Sequence, residues 1–331
     1  MTSGSGDAAS EVDRQTRHRV RAALLGLALG DAVGAPFEGR RGISRDEVVT
    51  RITDDRPLTW TDDTHMAIAL GRVLVEHGAD RIDPQVLGDA FAAAYADEPW
   101  RGYGAGPPQV FAMARQAGSY VEAAGSLFGG SGSFGNGAAM RVGPVALAAS
   151  DDVEHAERLA RSQALVTHAH SEAIDGAVVV ATTSVLGARS GPHGSVVAAV
   201  IEAAARLPPG PVREATELLL DARDDRDRLL ATAARIGTSV VARGSVPAAI
   251  AALLAAPDDL EDTLVTAVQL GGDTDTIAAM AGTMAAARLG PAGLPERLLE
   301  RLEARDELAA LSHELVREPP PEAAARARSP G

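Results

Sequence analysis

Cysteine is absent from the 331-residue chain. That excludes disulfides, thiolate nucleophiles, cysteine-type zinc sites and iron–sulfur clusters. Lysine is absent too, and all 31 basic residues are arginine. A G-x-x-x-x-G-K-S/T phosphate loop, a lysine Schiff base and the protein-kinase signature are thereby ruled out. Aromatics are scarce at 3%, so Ala, Leu and Val must supply the apolar contacts, which favours close-packed helices over an aromatic-rich β-sandwich. Basic charge is in deficit, 31 against 45 acidic residues for a net −14. Nucleic acid and anionic membrane both need a basic footprint, so neither is an expected partner. Long apolar runs are missing: 22–29 ends at Gly30 and Asp31, and hydroxyls at Thr182 to Ser184 interrupt 176–188. No membrane span is expected. The polar, acidic start does not read as a secretory leader, so the expectation is a cytoplasmic monomer.

What is present is helical periodicity. Apolar residues recur at helix-face spacing over 14–35, as Val20, Leu24, Leu27 and Ala28, and again over 65–76, 84–95, 153–166, 172–186 and 195–207. The pattern resumes over 212–222, 229–241, 247–255, 260–270, 274–289, 294–304 and 306–316. Strand signals are nearly missing. The expected architecture is all-α, a compact orthogonal many-helix bundle spanning 11–316 as a single domain. Polar, Pro/Ala/Ser-rich ends at 1–10 and 317–331 are expected to be disordered.

Two acidic clusters stand directly before apolar helices: Thr61-Asp62-Asp63-Thr64, and Gly271-Gly272-Asp273-Thr274-Asp275-Thr276. Each alone reads as an N-cap with acids at the positive end of the helix dipole. A cap needs one short oxygen-bearing side chain, however, and here two carboxylates with flanking hydroxyls occur twice. If the two helix starts face one another, their four carboxylates repel unless cations neutralise them. Oxygen-only donors suit a hard divalent ion, Mg²⁺ or Mn²⁺. Bridging carboxylates would hold two such ions roughly 3.5–4 Å apart, a geometry that activates water and clamps substrate oxygens. An EF-hand starting at Asp273 fails, with Ala278 and Met284 where Gly and Glu are required. An aspartyl-phosphatase reading fails for want of a downstream lysine.

Glycine-rich segments form the second anomaly. Trp100-Arg101-Gly102-Tyr103-Gly104-Ala105-Gly106 and 129–137, Gly-Gly-Ser-Gly-Ser-Phe-Gly-Asn-Gly, each precede a helix. Such loops let backbone N–H groups approach an anion. A flexible linker is the alternative, but Tyr103, Phe128 and Phe134 draw on a total of five Phe and three Tyr, and aromatics there suit stacking on a planar base. His168 and His170 could ligate zinc, although no His-Glu-x-x-His helix accompanies them; lining or capping a polar site is the other role open to them.

In order along the chain, Gly26-Leu27-Ala28-Leu29-Gly30-Asp31-Ala32-Val33-Gly34 with Phe37-Glu38, Trp60-Thr61-Asp62-Asp63-Thr64, Gly135-Asn136-Gly137-Ala138-Ala139-Met140-Arg141, Thr167-His168 and 271–276 resemble the ADP-ribosylglycohydrolases. The two glycine loops look most like the branch that removes ADP-ribose from serine, and less like the arginine-directed branch. The resemblance implies an all-α fold with a binuclear Mg²⁺ or Mn²⁺ centre and ADP-ribosylated proteins or ADP-ribose derivatives as substrates. It implies Thr61, Asp62, Asp63, Asp273, Asp275 and Thr276 as metal ligands. Glu38 would be a mobile acid near the metals, with Glu38 or Asp62 managing the proton. Asp31 would end its helix or support the ligands. Ser133, Gly135 and Asn136 would hold pyrophosphate and ribose, aided by Gly132 and by Gly102, Tyr103 and Gly104 of the other loop. Phe128 and Phe134 would sandwich adenine, and His168 would reach the ribose or phosphate region. An arginine-type ADP-ribosylhydrolase, a non-catalytic ADP-ribose binder and a nucleotide-sugar phosphohydrolase are the competing functions.

Overall fold

The computed structural model describes residues 4–316, and among these every regular element is a helix. The extended pairings are two isolated bridges, Leu58 with Leu302 and Gly135 with Val241. The all-α class follows from the missing β alternation. Residues 1–3 and 317–331, expected to be disordered, lie outside the described residues. Residues 4–10, expected to be disordered with them, instead open the helix Gly4–Val20. Adding a turn to a nucleated helix avoids the cost of the first turn, and no proline stands there to stop it.

Two helices, Ala23–Gly34 and Thr274–Leu289, form the centre, and every residue of the first is buried. Gly26, Gly30 and Gly34 recur one helical turn apart on a single face. A Cβ on Gly30 would sit 2.0 Å from the Ala278 carbonyl oxygen, and one on Gly26 2.4 Å from that of Gly282. The two backbones therefore touch. At the end of the stripe, a Cβ on Gly34 would sit 2.6 Å from the Cα of Asp275, so the contact delivers Asp275 to the end of the first helix. Gly30→Ala is expected to cost about 3 kcal/mol or more of unfolding free energy. Gly125→Ala, inside Tyr120–Gly130 with nothing within 4 Å of the added methyl, should leave thermal stability unchanged or raised. Thermal melts of the two variants compare them directly.

Gly30 and Asp31 do not end the apolar run as the sequence suggested. Gly30 is the contact point just described, and the Asp31 carboxylate is fully hydrogen-bonded inside the fold. Residues 11–37 consequently form a stretch long and apolar enough to cross a membrane, but 83% of its most apolar window is buried inside the molecule, where it is the core. Three other expected helices are displaced. The 294–304 pattern yields Glu296–Leu299 only, because Leu58 N–H donates to Arg301 O at 2.9 Å and Glu303 N–H to Leu58 O at 3.0 Å, which holds the chain extended there. The 229–241 pattern gives Arg226–Ile236, ended by Gly237 at φ 130°. The 247–255 pattern begins early, as Ala242–Ala255, with Pro247 inside the helix.

Candidate active site

The first acidic helix, Asp62–His77, is capped by Thr61, whose hydroxyl accepts from Asp63 N–H at 3.4 Å. The N-cap reading is thus geometrically true, but Thr61 is held in turn by Asp31. The Asp31 carboxylate accepts from Thr61 N–H at 3.0 Å, Thr61 Oγ1–H at 2.9 Å, Thr64 N–H at 3.0 Å and Thr64 Oγ1–H at 2.6 Å. Asp31 neither ends its helix nor has an oxygen to spare; it fixes where the second helix starts. Burial pushes it up to about 6, against the hydrogen bonds from Thr64 and Thr61 that lower it.

The second acidic helix is aimed by Gly271 and Gly272, both at positive φ. A Cβ on Gly272 would lie 2.1 Å from the Thr238 carbonyl oxygen. The same turn accepts and donates backbone bonds with the loop after the first helix: Gly39 N–H to Gly272 O and Gly272 N–H to Arg40 O, both at 2.8 Å. That pairing carries Glu38 in. Glu38 is exposed, yet its carboxylate oxygen lies within 4.8 Å of those of Asp273 and Asp275.

The two acidic tips meet. Thr276 Oγ1–H donates to Asp63 Oδ1 at 3.5 Å across 213 residues of chain. Asp62, Asp63, Asp273, Asp275 and Thr276 are all buried. Burial pushes Asp62 up to about 8, with the charges of Asp31, Asp273 and Glu38 adding to it. Burial likewise raises Asp275 to about 9, helped by Asp273, Asp31 and Glu38. Asp63 is driven well above the carboxylate range by burial, then by Asp31, Asp275, Asp62 and Asp273. Burial also raises Asp273, against a hydrogen bond from Asn136. Asp63 Oδ2 is buried and has no hydrogen-bond partner. A carboxylate oxygen enclosed among like charges without a donor is costly unless a cation meets it. The donor set of carboxylates and hydroxyls fits hard divalent ions.

The expected substrate residues divide. Ser133 is buried, and its Oγ accepts from Gly135 N–H at 3.2 Å, which shapes the loop; Gly132 is at φ 72°. Asn136, expected on pyrophosphate and ribose, instead commits both amide hydrogens: Nδ2 donates to Asp273 Oδ2 at 2.5 Å and to Ser245 Oγ at 2.9 Å. It orients an acid. Phe128 and Phe134 are exposed, but their centroids are 5.4 Å apart at 40°, in mutual contact with no room for a base between them. They form a platform rather than an open sandwich. Phe128 adopts φ 50°, a strained conformation that keeps a large apolar ring in solvent.

In the other loop, Gly102 approaches the acids: a Cβ there would lie 3.5 Å from Asp62 Oδ1, and Asp62 N–H donates to Arg101 O at 2.8 Å. Gly104 has nothing within 4 Å of an added Cβ. Tyr103 does not stack outward. Its hydroxyl lies 3.0 Å from His65 Nδ1, and its ring packs edge-on to Tyr95. Trp100, at 71% exposure, is the open aromatic there, and with Thr61 and Gly102 it lines a cleft of about 480 Å³. Of the two histidines, His170 caps Ser171–Ser190 by accepting from Glu172 N–H at 3.2 Å. His168 is buried against the 133–137 loop, where a Cβ on Gly137 would lie 2.9 Å from its Nε2.

The family model for ADP-ribosylglycohydrolase matches residues 13–324. The chain belongs to the ADP-ribosylglycohydrolase family. Among its relatives, ADP-ribosylhydrolase ARH3 of Bos taurus is 37% identical over 178 residues, 49% of this chain and 48% of that protein. The Homo sapiens ARH3 is 35% identical over the same shares. ADP-ribosyl-dinitrogen reductase glycohydrolase of Rhodospirillum rubrum is 31% identical over 166 residues, 46% of this chain and 52% of that one. The matched segment thus spans about half the length of these curated relatives. A solved ADP-ribosylglycohydrolase-related protein complex superposes at TM-score 0.71 with 28% identity, covering 92% of this chain and 98% of its own.

Two residues beside this candidate site lie outside the set that the sequence predicts. Trp100 belongs to the 100–106 loop, but its exposure is set by the fold and not by the sequence pattern. Arg141 is fully buried and stacks on Phe91 at 4.4 Å from the ring centroid. It interacts electrostatically with Asp62. Its signal was available: a lone charge within the apolar run 138–149.

Proposed function

We propose that this chain hydrolyses the glycosidic bond between the distal ribose C1″ of ADP-ribose and a protein side chain, in a reaction dependent on two divalent ions, Mg²⁺ or Mn²⁺. The observation that carries the reading is the meeting of two acidic helix starts around the unpartnered, buried Oδ2 of Asp63. Thr61, Asp62, Asp63, Asp273, Asp275 and Thr276 would hold the ions, with Glu38 close enough to join them. Such ions, when bound, supply electrostatic clamping of ribose hydroxyls and a more acidic water.

The chain's own residues do the rest. Asp31 sets the start of the first acidic helix through Thr61 and Thr64, and Asn136 orients Asp273. Glu38 is exposed at the end of its loop, free to meet a leaving group or water, while Asp62 is buried; one of the two manages the proton. The 132–137 loop with Ser133 and Gly135 receives pyrophosphate, and the Phe128–Phe134 platform stacks adenine on an outer face. The serine O-linkage is proposed on the resemblance of the 101–104 and 132–137 loop sequences to the serine-directed branch. The relative of Rhodospirillum rubrum, whose name gives a modified dinitrogen reductase as its target, keeps an arginine-type N-linkage as the second reading.

The test incubates ADP-ribosyl-serine and ADP-ribosyl-arginine peptides with the full chain, in Mg²⁺ and then in excess EDTA, and reads products by mass spectrometry. Intact ADP-ribose and unmodified serine peptide are expected in Mg²⁺ alone. AMP with ribose phosphate would identify a phosphohydrolase, and absence of turnover on both peptides would reduce the protein to a binder.

A further inference from the structure

Arg141, Thr167 and His168 form a chain of hydrogen bonds beside the 133–137 loop. Arg141 Nε–H donates to Gln163 Oε1 at 2.8 Å, and Nη2–H donates to Gln163 O at 3.0 Å and to Thr167 Oγ1 at 2.8 Å. Thr167 Oγ1 in turn lies 2.8 Å from His168 Nδ1. Arg141 is 0% and Thr167 1% exposed, so water does not complete their hydrogen bonds. A guanidinium has donors and no acceptor. The Thr167 hydroxyl therefore accepts from Arg141 and must send its own proton elsewhere. Among the described residues, His168 Nδ1 is the acceptor within its reach. Were Nδ1 protonated instead, the hydroxyl proton would be buried without a partner, which proteins rarely tolerate. Nδ1 is then the acceptor, and in a neutral ring the remaining proton sits on Nε2.

Nε2 has no hydrogen-bond partner among the described residues. It faces the loop closely: a Cβ on Gly135 would sit 3.4 Å from it and one on Gly137 2.9 Å. Glycine at both positions leaves room for the ring against the loop.

We propose that Arg141 and Thr167 are positioning residues that fix His168 as the neutral Nε2–H tautomer, giving the 133–137 loop a permanent hydrogen-bond donor for a phosphate or ribose oxygen of the ligand. The ligand half of this rests on the ADP-ribose reading above; the tautomer half does not. Burial first, and then the Arg141 charge, lower His168 to about 3, so the ring stays neutral and Nδ1 stays an acceptor at ordinary pH. The device selects for oxygen acceptors and against a ligand group that can only donate.

The experiment uses the full chain labelled with ¹⁵N-histidine, with His168 identified among the eight histidines by its loss in His168→Asn. Two-bond ¹H–¹⁵N spectra are expected to show an unprotonated Nδ1 and a protonated Nε2 at neutral pH. Thr167→Val, of equal shape without the hydroxyl, should lose that pattern and weaken ADP-ribose binding in Mg²⁺ about tenfold by calorimetry, which is 1.4 kcal/mol. Thr167→Ser should restore both. A wild-type spectrum with the proton on Nδ1 would overturn the assignment, as would a Val variant with tautomer and affinity unchanged. If the Val variant does not fold, the wild-type spectrum decides alone. A wild-type protein with the expected tautomer and no affinity for ADP-ribose would defeat the functional reading and leave the tautomer assignment standing.

Discussion

Asp275→Asn is expected to abolish hydrolysis while raising the thermal midpoint of the chelator-treated protein. These two effects rarely travel together, because most core substitutions destabilise. Here they share a cause. Asp275 is buried within 4.8 Å of carboxylate oxygens of Glu38 and Asp273, and its ionised form is disfavoured first by burial and then by the charges of Asp273, Asp31 and Glu38. An amide of the same shape is buried neutral without taking up a proton, whereas Asp275, raised to about 9 in the folded chain, must bind one on folding at neutral pH, so the change is expected to stabilise the metal-free protein by about 2 kcal/mol or more. The same change removes an anionic donor from the proposed ion site. Losing about 4 kcal/mol of transition-state stabilisation corresponds to a thousandfold fall in rate. Peptide turnover in Mg²⁺ and thermal melts in EDTA read the two arms. Retained turnover, or a lower midpoint in EDTA, would mean that Asp275 is a structural acid and not a ligand.

The second large effect is in pH. Without divalent ions, the protein should become more stable as pH falls from about 9 towards 6. Asp275 is raised to about 9, Asp62 to about 8 and Asp31 to about 6, each chiefly by burial. A carboxyl whose folded pKa lies above its unfolded value near 4 binds more proton when folded, so its stabilisation is complete below the unfolded pKa and is lost as pH rises through the folded one. Ordinary salt-bridged acids act in the opposite sense. Divalent ions compete with those protons, so the rise in melting temperature on adding Mg²⁺ should be largest at the alkaline end and shrink towards pH 6. Melting curves at stepped pH, with Mg²⁺ and with EDTA, measure the difference. A Mg²⁺ effect that does not change across this range would contradict a shared site for proton and cation.

Much of the site was legible because its pieces are contiguous. Thr61-Asp62-Asp63 and 271–276 announce themselves as acids before apolar helices; the capping reading holds for Thr61, and the clustered-acid reading holds for Asp63, which Thr276 reaches from the other helix start. Glycines at 26, 30 and 34 belong to the first motif, although their work of bringing one backbone against Ala278 and Gly282 depends on the partner helix. Roles that depend on a side chain's partners need the folded structure. Asn136 Nδ2 donates to Asp273 and Ser245, a partnership that its place in a glycine loop does not announce. The loop position of Tyr103 suits stacking on a base, but its hydroxyl meets His65 and its ring meets Tyr95.

The sequence by itself determined the helical class, the oxygen-only chemistry and the two acidic helix starts, because composition, 3.6-residue periodicity and short motifs are local properties of the chain. Tertiary structure alone decided that those starts, 213 residues apart, share one buried volume, that Asp31 anchors the first of them through Thr61 and Thr64, and that His168 is reached by Arg141 through Thr167. Burial and partnership are properties of pairs distant in sequence, and it is desolvation of those pairs that turns five ordinary aspartates into a cluster whose charged forms are all disfavoured.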